Sequence, residues 1–274
     1  MSAAVATPPR EAAAAPAELP ARPFALIRHS LLLAGRTLTK IRRTPEQLLD
    51  VTLQPIIFVV LFVYLFGGAI SGSQHEYLQF VLPAIMAQTV LFSSAATGTN
   101  LNTDIKQGVF DRFRSLPIPR SAPLVGAVLG DLVRYAVSIV VVLGFGTCIG
   151  YRVQTDPVRA LLACLLVIAF AFALCWAFVL IGMLVREPGV VQGLGFLIGF
   201  PLTFGSSMFV PPDTLPGWLR AWVQVNPVTH LVDAMRGLLE GGPVLTDAGI
   251  ALAWSVGLTA VLAPLAVAAY RRRA

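Results

Sequence analysis

Over residues 161–185 the chain reads LLACLLVIAFAFALCWAFVLIGMLV, an apolar run without one Asp, Glu, Lys or Arg. A helix needs roughly 20 such residues to cross the hydrocarbon core of a bilayer. Inside that core every backbone N–H and C=O must be satisfied within the protein, which suits a helix. Five more apolar windows stand out, at about 51–70, 80–103, 124–151, 190–210 and 248–270, of which the third holds two charges, Asp131 and Arg134. The pattern predicts an all-α polytopic membrane protein with six transmembrane helices. Composition agrees: 56% of the residues are hydrophobic and 12% charged, too little polar surface for a soluble domain of this length. The first 22 residues, rich in Ala and Pro, have no continuous apolar core. They read as a disordered cytoplasmic tail rather than a signal peptide, leaving 23–274 as the membrane domain.

Charge orients the spans. An even number places both termini on one side, and Lys and Arg mark the cytoplasmic side. With the N-terminus inside, the inner segments hold fifteen of the 20 cations. The outer ones hold Arg152, Arg159, Arg220 and Arg236, and Arg134 lies within a span. The net charge of +6 is therefore a mark of topology, not of nucleic-acid binding. Residues 24–43 precede the first span. Phe24, Ile27, Leu31, Ala34, Leu38 and Ile41 share one helical face there, and Arg28, Arg36, Lys40 and Arg43 cluster opposite. This is the pattern of a basic helix lying on the inner membrane surface against anionic lipid. Thr44, Pro45 and Gln47 then supply a cap, a first-turn proline and a capping-box partner, so a new helix turns into the bilayer there.

The second window is the most polar, with Gln88, Ser93, Ser94, Thr97 and Asn100. It runs into DIKQGVFDRFRSLPIPRSAPL, residues 104–124, which carries six charges. Phe110, Phe113 and Leu116 recur every third residue, and proline ends the segment. A short amphipathic helix of this kind suits docking on a cytosolic partner; a solvated loop is the other reading. Past the fifth window, 211–247 is too long for a plain turn. Leu215, Trp218, Leu219 and Trp222 share one face. Val228, Leu231, Val232, Met235, Leu238 and Leu239 form a second stripe, and Asn226-Pro227 stands between them. Two short re-entrant or amphipathic helices before the last span fit this, with the Trp residues also suited to interface anchoring. Gly189, Gly193, Gly195 and Gly199 in the fifth window permit close helix contact, within the subunit or between two. Asp131 and Arg134, one turn apart in the third, form an intramembrane pair or a polar patch lining a path.

At these residues the chain resembles the permeases of ABC-2 type exporters. Their cytoplasmic loop pattern is matched by Asp104, Gly108, Phe110, Asp111, Phe113, Pro117 and Arg120. The stretch NPVTHLVDAMRGLL, with Asn226, Pro227, Asp233 and Arg236, resembles the element before the last span of the same family. The entry to the first span resembles the daunorubicin-resistance branch. One departure is Ile105-Lys106, where the family often has further acids. The resemblance implies a transport subunit rather than an enzyme. It implies a cytosolic ABC ATPase as a separate chain that binds ATP and Mg, and a second permease copy. Residues 104–121 become the coupling loop through Gly108, Phe110, Asp111, Arg112, Phe113, Arg114 and Pro117. The chain itself has no GxxxxGK[ST], since neither Lys40 nor Lys106 follows glycine. HExxH and GxSxG are also absent, and Cys148, Cys164 and Cys175 show no metal spacing. The implied function is ATP-driven export of an amphipathic drug, antibiotic or lipid-like molecule. The alternatives are a lipid-linked saccharide or polymer exporter, an ion-driven secondary transporter and a scaffold. Arg outnumbers Lys 18 to 2, which points to a high-GC bacterium and its plasma membrane.

Overall fold

The computed structural model describes residues 45–70, 72–109 and 122–273. The interfacial segment 24–43, with Arg28, Arg36, Lys40 and Arg43, lies outside them. So do Phe110, Asp111, Arg112, Phe113, Arg114 and Pro117 of the loop. The described residues form eight α-helices and one 3-10 turn, with no strand among them. They are α1 Pro45–Ile70, α2 Gln74–Lys106, α3 Ala122–Cys148, α4 Pro157–Leu184 and α5 Pro188–Phe204, then the turn Pro212–Thr214, α6 Gly217–Val225, α7 Pro227–Glu240 and α8 Leu245–Arg273. Five helices, α1 to α4 and α8, are long and apolar enough to cross a membrane. α5 is the sixth apolar segment and has 17 residues, the lower end of what spans. The fifth window was read to residue 210; the helix instead stops at Phe204, where Gly205 N–H donates to Pro201 O and the chain turns.

Local chemistry sets the boundaries. Ser73 caps α2 by accepting from Glu76 N–H. Asp156 caps α4 by accepting from Arg159 N–H at 2.9 Å, with Pro157 in the first turn. α1 begins at Pro45, a position where proline loses no helical bond. α2 ends at Gln107–Gly108, where Gly108 takes φ +68°, a left-handed conformation that glycine adopts without steric cost. At about 1.5 Å per residue the helix is about 50 Å long, so it projects beyond a hydrocarbon core of about 30 Å.

α2 is the hub, packing against α1, α3, α4, α5 and α7. Of its apolar window 67% is buried in the molecule, against 22% for α1 and 17% for α8. The most polar span is thus the innermost. In a bilayer that order follows from solvation: Leu65, Tyr64, Val140, Leu197 and Val256 lose nothing by facing lipid, whereas hydroxyls and amides need protein partners. Tyr77, Leu78, Leu82, Ile85 and Met86 of α2 build the main core with Phe170 of α4 and Met235 of α7. A second cluster at the other end joins Leu101, Leu124, Trp176, Met183 and Tyr270.

Candidate functional site

A cavity of about 410 Å³ opens beside α2, from the middle of the bundle toward its Lys106 end. α2 contributes Gln88, Thr89, Phe92, Ser93, Thr99 and Asn100. α1 contributes Gln54, Pro55 and Phe58, α5 contributes Gln192, Gly195 and Phe196, and α3 contributes Arg134. The sequence signal for this wall was the polarity of the second window. Thr89 and Thr99 survive at membrane depth because their hydroxyls donate to the carbonyls of Ile85 (2.7 Å) and Ala95 (3.3 Å), one turn back. Gly195 brings α5 close to α2, since a side chain there would meet Ala95. Phe92 and Phe196 face each other at 5.7 Å between ring centroids. The wall is therefore both hydrogen-bonding and aromatic.

Arg134 is its one charged member among the described residues. The Nη2 of Arg134 donates to Ser93 O at 2.9 Å and lies 3.3 Å from Asp131 Oδ1. Both side chains are largely shielded from water. Asp131 and Arg134 do pair, and Arg134 borders the cavity. Behind them Tyr135 OH and Thr97 Oγ1 share a hydrogen bond of 3.0 Å.

The opposite end of the bundle is held by the NPVTHLVDAMR segment. Asn226 caps α7 through Val228 N–H, and its Nδ2 donates to Leu202 O (2.9 Å) and Gly205 O (2.7 Å). It thereby ties the end of α5 to the start of α7, with Pro227 in the first turn. Asp233 accepts from Ser207 Oγ (2.8 Å) and from Arg236 Nη1 (3.0 Å). Arg236 also donates to Phe80 O and Met208 O, each at 3.0 Å, and covers the Phe80 ring at 3.8 Å. Burial works against its charge, and Asp233 and Glu240 offset this. Burial also pushes the Glu240 carboxyl up to about 7, with Arg236 pulling the other way. His230 joins three helices: Nδ1 lies 2.8 Å from Asp247 Oδ1, and Nε2 lies 3.0 Å from Gln224 O. Trp218 and Trp222 of α6 are exposed and take no part in this network. Sequence reasoning found Asn226, Asp233 and Arg236. It missed Ser207, Phe80 and Met208: Met208 takes part through its backbone carbonyl, which carries no sequence signal, and Phe80 through its carbonyl and its ring.

At the Lys106 end, Asn102 Nδ2 donates to Gly182 O and Val185 O, each at 2.7 Å. Lys106 Nζ meets Glu187 Oε2 at 2.6 Å. This accounts for the basic residue at a position where acids were expected: it binds the α4–α5 junction. Gly108, of the coupling residues, lies just past the end of α2, within the 104–121 segment. Among the described residues no group of three His, Cys, Asp or Glu is placed to hold a metal.

Residues 29–239 match the family model described as ABC-2 type transporter. The daunorubicin resistance ABC transporter permease protein DrrB1 of Streptomyces coeruleorubidus is 41% identical over 256 residues, covering 93% of this chain and 90% of that one. The permease protein DrrC of Mycobacterium tuberculosis is 27% identical over 273 residues, covering 98% of both chains. The doxorubicin resistance permease protein DrrB of the same organism is 29% identical over 192 residues, 67% of this chain and 66% of its own.

Proposed function

The chain belongs to the ABC-2 type transporter family, and from that premise we propose that it is the permease subunit of an ATP-driven exporter of an amphipathic aromatic drug or antibiotic. ATP and Mg are bound by a cytosolic ATPase chain, and a second permease copy completes the membrane unit. The complex lies in a bacterial plasma membrane with the Lys106 end and both termini cytoplasmic. The observation that carries the substrate class is the cavity. Its volume of about 410 Å³ falls in the range of sites that take drug-sized molecules, roughly 300–1,000 Å³, and it is small for a saccharide polymer. Its wall alternates amides and hydroxyls with Phe58, Phe92 and Phe196, which matches a flat molecule with polar edges.

Coupling follows from the place of α2. This helix lines the cavity, contacts five other helices and carries Asp104 to Lys106, the start of the 104–121 segment, in its last turn. A displacement of that loop by ATPase closure is delivered first to the helix that forms the cavity wall. Phe110 and Phe113 supply the contact: each is worth roughly 2 kcal/mol if buried in a partner, and Arg112 and Arg114 orient the docking through carboxylates. The test is co-purification with the cognate ATPase and daunorubicin efflux from cells. Phe110→Ala with Phe113→Ala should insert normally, lose the ATPase on purification and abolish efflux. Wild-type ATPase binding and efflux in the double variant would refute the coupling role, and a wild-type complex that exports no aromatic drug would refute the substrate class.

A further inference from the structure

We propose that Arg134 is the group that reads the substrate in this cavity, selecting aromatic molecules that present an acceptor oxygen over aromatic cations that have none. The inference rests on the export reading above and narrows its substrate class. Among the described residues Arg134 is the single charged side chain on the cavity wall, and Asp131, its partner, does not reach that wall. A molecule entering from the cavity therefore meets a guanidinium, which stays protonated at any relevant pH. That guanidinium has donor capacity to spare. Nη2 serves Ser93 O and Asp131, while the Nε hydrogen is buried without a partner among the described residues. A buried donor left unpaired is costly to keep, and a turn of the side chain that brings it to a ligand oxygen removes that cost. Phe92 and Phe196 border the same space and provide ring faces for an aromatic framework.

Arg134 also has a scaffolding duty, since it joins α3 to the α2 backbone. The experiment separates the two. The complex of the full chain with its ATPase is purified in lipid nanodiscs, and binding of two fluorescent planar probes is measured. Daunorubicin is a quinone with several ring oxygens, and ethidium is an aromatic cation with no oxygen. Loss of one charge-assisted hydrogen bond should weaken daunorubicin about tenfold in Arg134→Met, with ethidium unchanged or tighter. Arg134→Lys keeps the charge but lacks the fork and the Nε donor; it should lower the preference for daunorubicin at least threefold while melting like wild type. If Arg134→Met does not fold, the Arg134→Lys ratio decides. Equal weakening of both probes, or unchanged daunorubicin binding, overturns the assignment and leaves Arg134 a scaffold. If the wild-type complex exports daunorubicin while the variants treat the probes alike, this inference fails alone. If wild type neither binds nor exports it, the function proposed above fails with it.

Discussion

Glu240 closes α7 with its Oε1 buried and, among the described residues, unpartnered, within electrostatic reach of Tyr151, whose hydroxyl is in the same condition. Arg236 is the cation that faces it. Burial raises the carboxyl from its ordinary 4.5 to about 7, so the folded state holds this proton more tightly than the unfolded chain does. Its contribution is fully present below pH 4.5 and is lost as the pH rises through about 7. The melting temperature of the purified permease should therefore fall between pH 5 and pH 8. Glu240→Gln, which keeps the shape and never ionises, should flatten that part of the profile and melt higher than wild type at pH 8. Parallel profiles for the two proteins would remove Glu240 as the cause. Neither this burial nor the Arg236 cluster was legible in the sequence as chemistry. Asn226-Pro227 was legible as the break between two apolar stripes, and Asp131 with Arg134 as a pair, because i, i+3 spacing makes them neighbours on any helix. Asp233 neighbours Arg236 at the same i, i+3 spacing, but the other partners of Arg236, Met208 and Phe80, lie 28 and 156 residues away.

Helix packing repeats the lesson at the next scale. The fifth window displayed its glycines openly, and two of them do pack: a side chain at Gly195 would strike Ala95, and one at Gly199 would crowd Phe92. Gly189 and Gly193 border open space. The tightest crossing lies elsewhere, where Gly98 of α2 meets Gly182 of α4. A Cβ at Gly98 would run into the Phe178 carbonyl, and one at Gly182 would press on the Gly98 carbonyl. Each glycine stands alone on its own helix, so no spacing rule finds the pair. Asn102 locks the same crossing through the carbonyls of Gly182 and Val185. Gly98→Val should thus force α2 from α4, disturb the cavity wall on the same helix, and lose the monodisperse peak in detergent size-exclusion chromatography. Gly193→Ala should elute like wild type. A monodisperse, normally melting Gly98→Val protein would show that the crossing yields, and that the close approach is incidental. The span count was legible to within a few residues because hydropathy integrates over many positions. The short α5 was not, because its end is set by Pro201, Gly205 and the Asn226 staple rather than by a change in polarity.

For the molecule as a whole, the remaining variable is which end faces the cytosol. Fifteen cations against four favour the Lys106 end, and the structure sharpens that count. Three of the four outer cations are engaged locally: Arg159 with Asp156 at 3.8 Å, Arg220 with the carbonyls of Pro212 and Asp213, and Arg236 with Asp233, Phe80 and Met208. Arg236 is also buried deeply enough that its charge is masked from the surface. The outer face thus offers little free positive charge to oppose insertion in this sense. Single cysteines decide the matter. Cys148 is exposed at the end of α3, near Ser73, so the background must first lose Cys148, Cys164 and Cys175. In that background Ser73→Cys should react with a membrane-impermeant maleimide in intact cells, and Arg114→Cys should react only after permeabilisation. Because α2 joins these two sites through one continuous helix from Gln74 to Lys106, they cannot lie on the same side while α2 spans. Reaction at Arg114→Cys in intact cells would invert the protein, place the cavity toward the outside, and leave the coupling loop out of reach of any cytosolic ATPase.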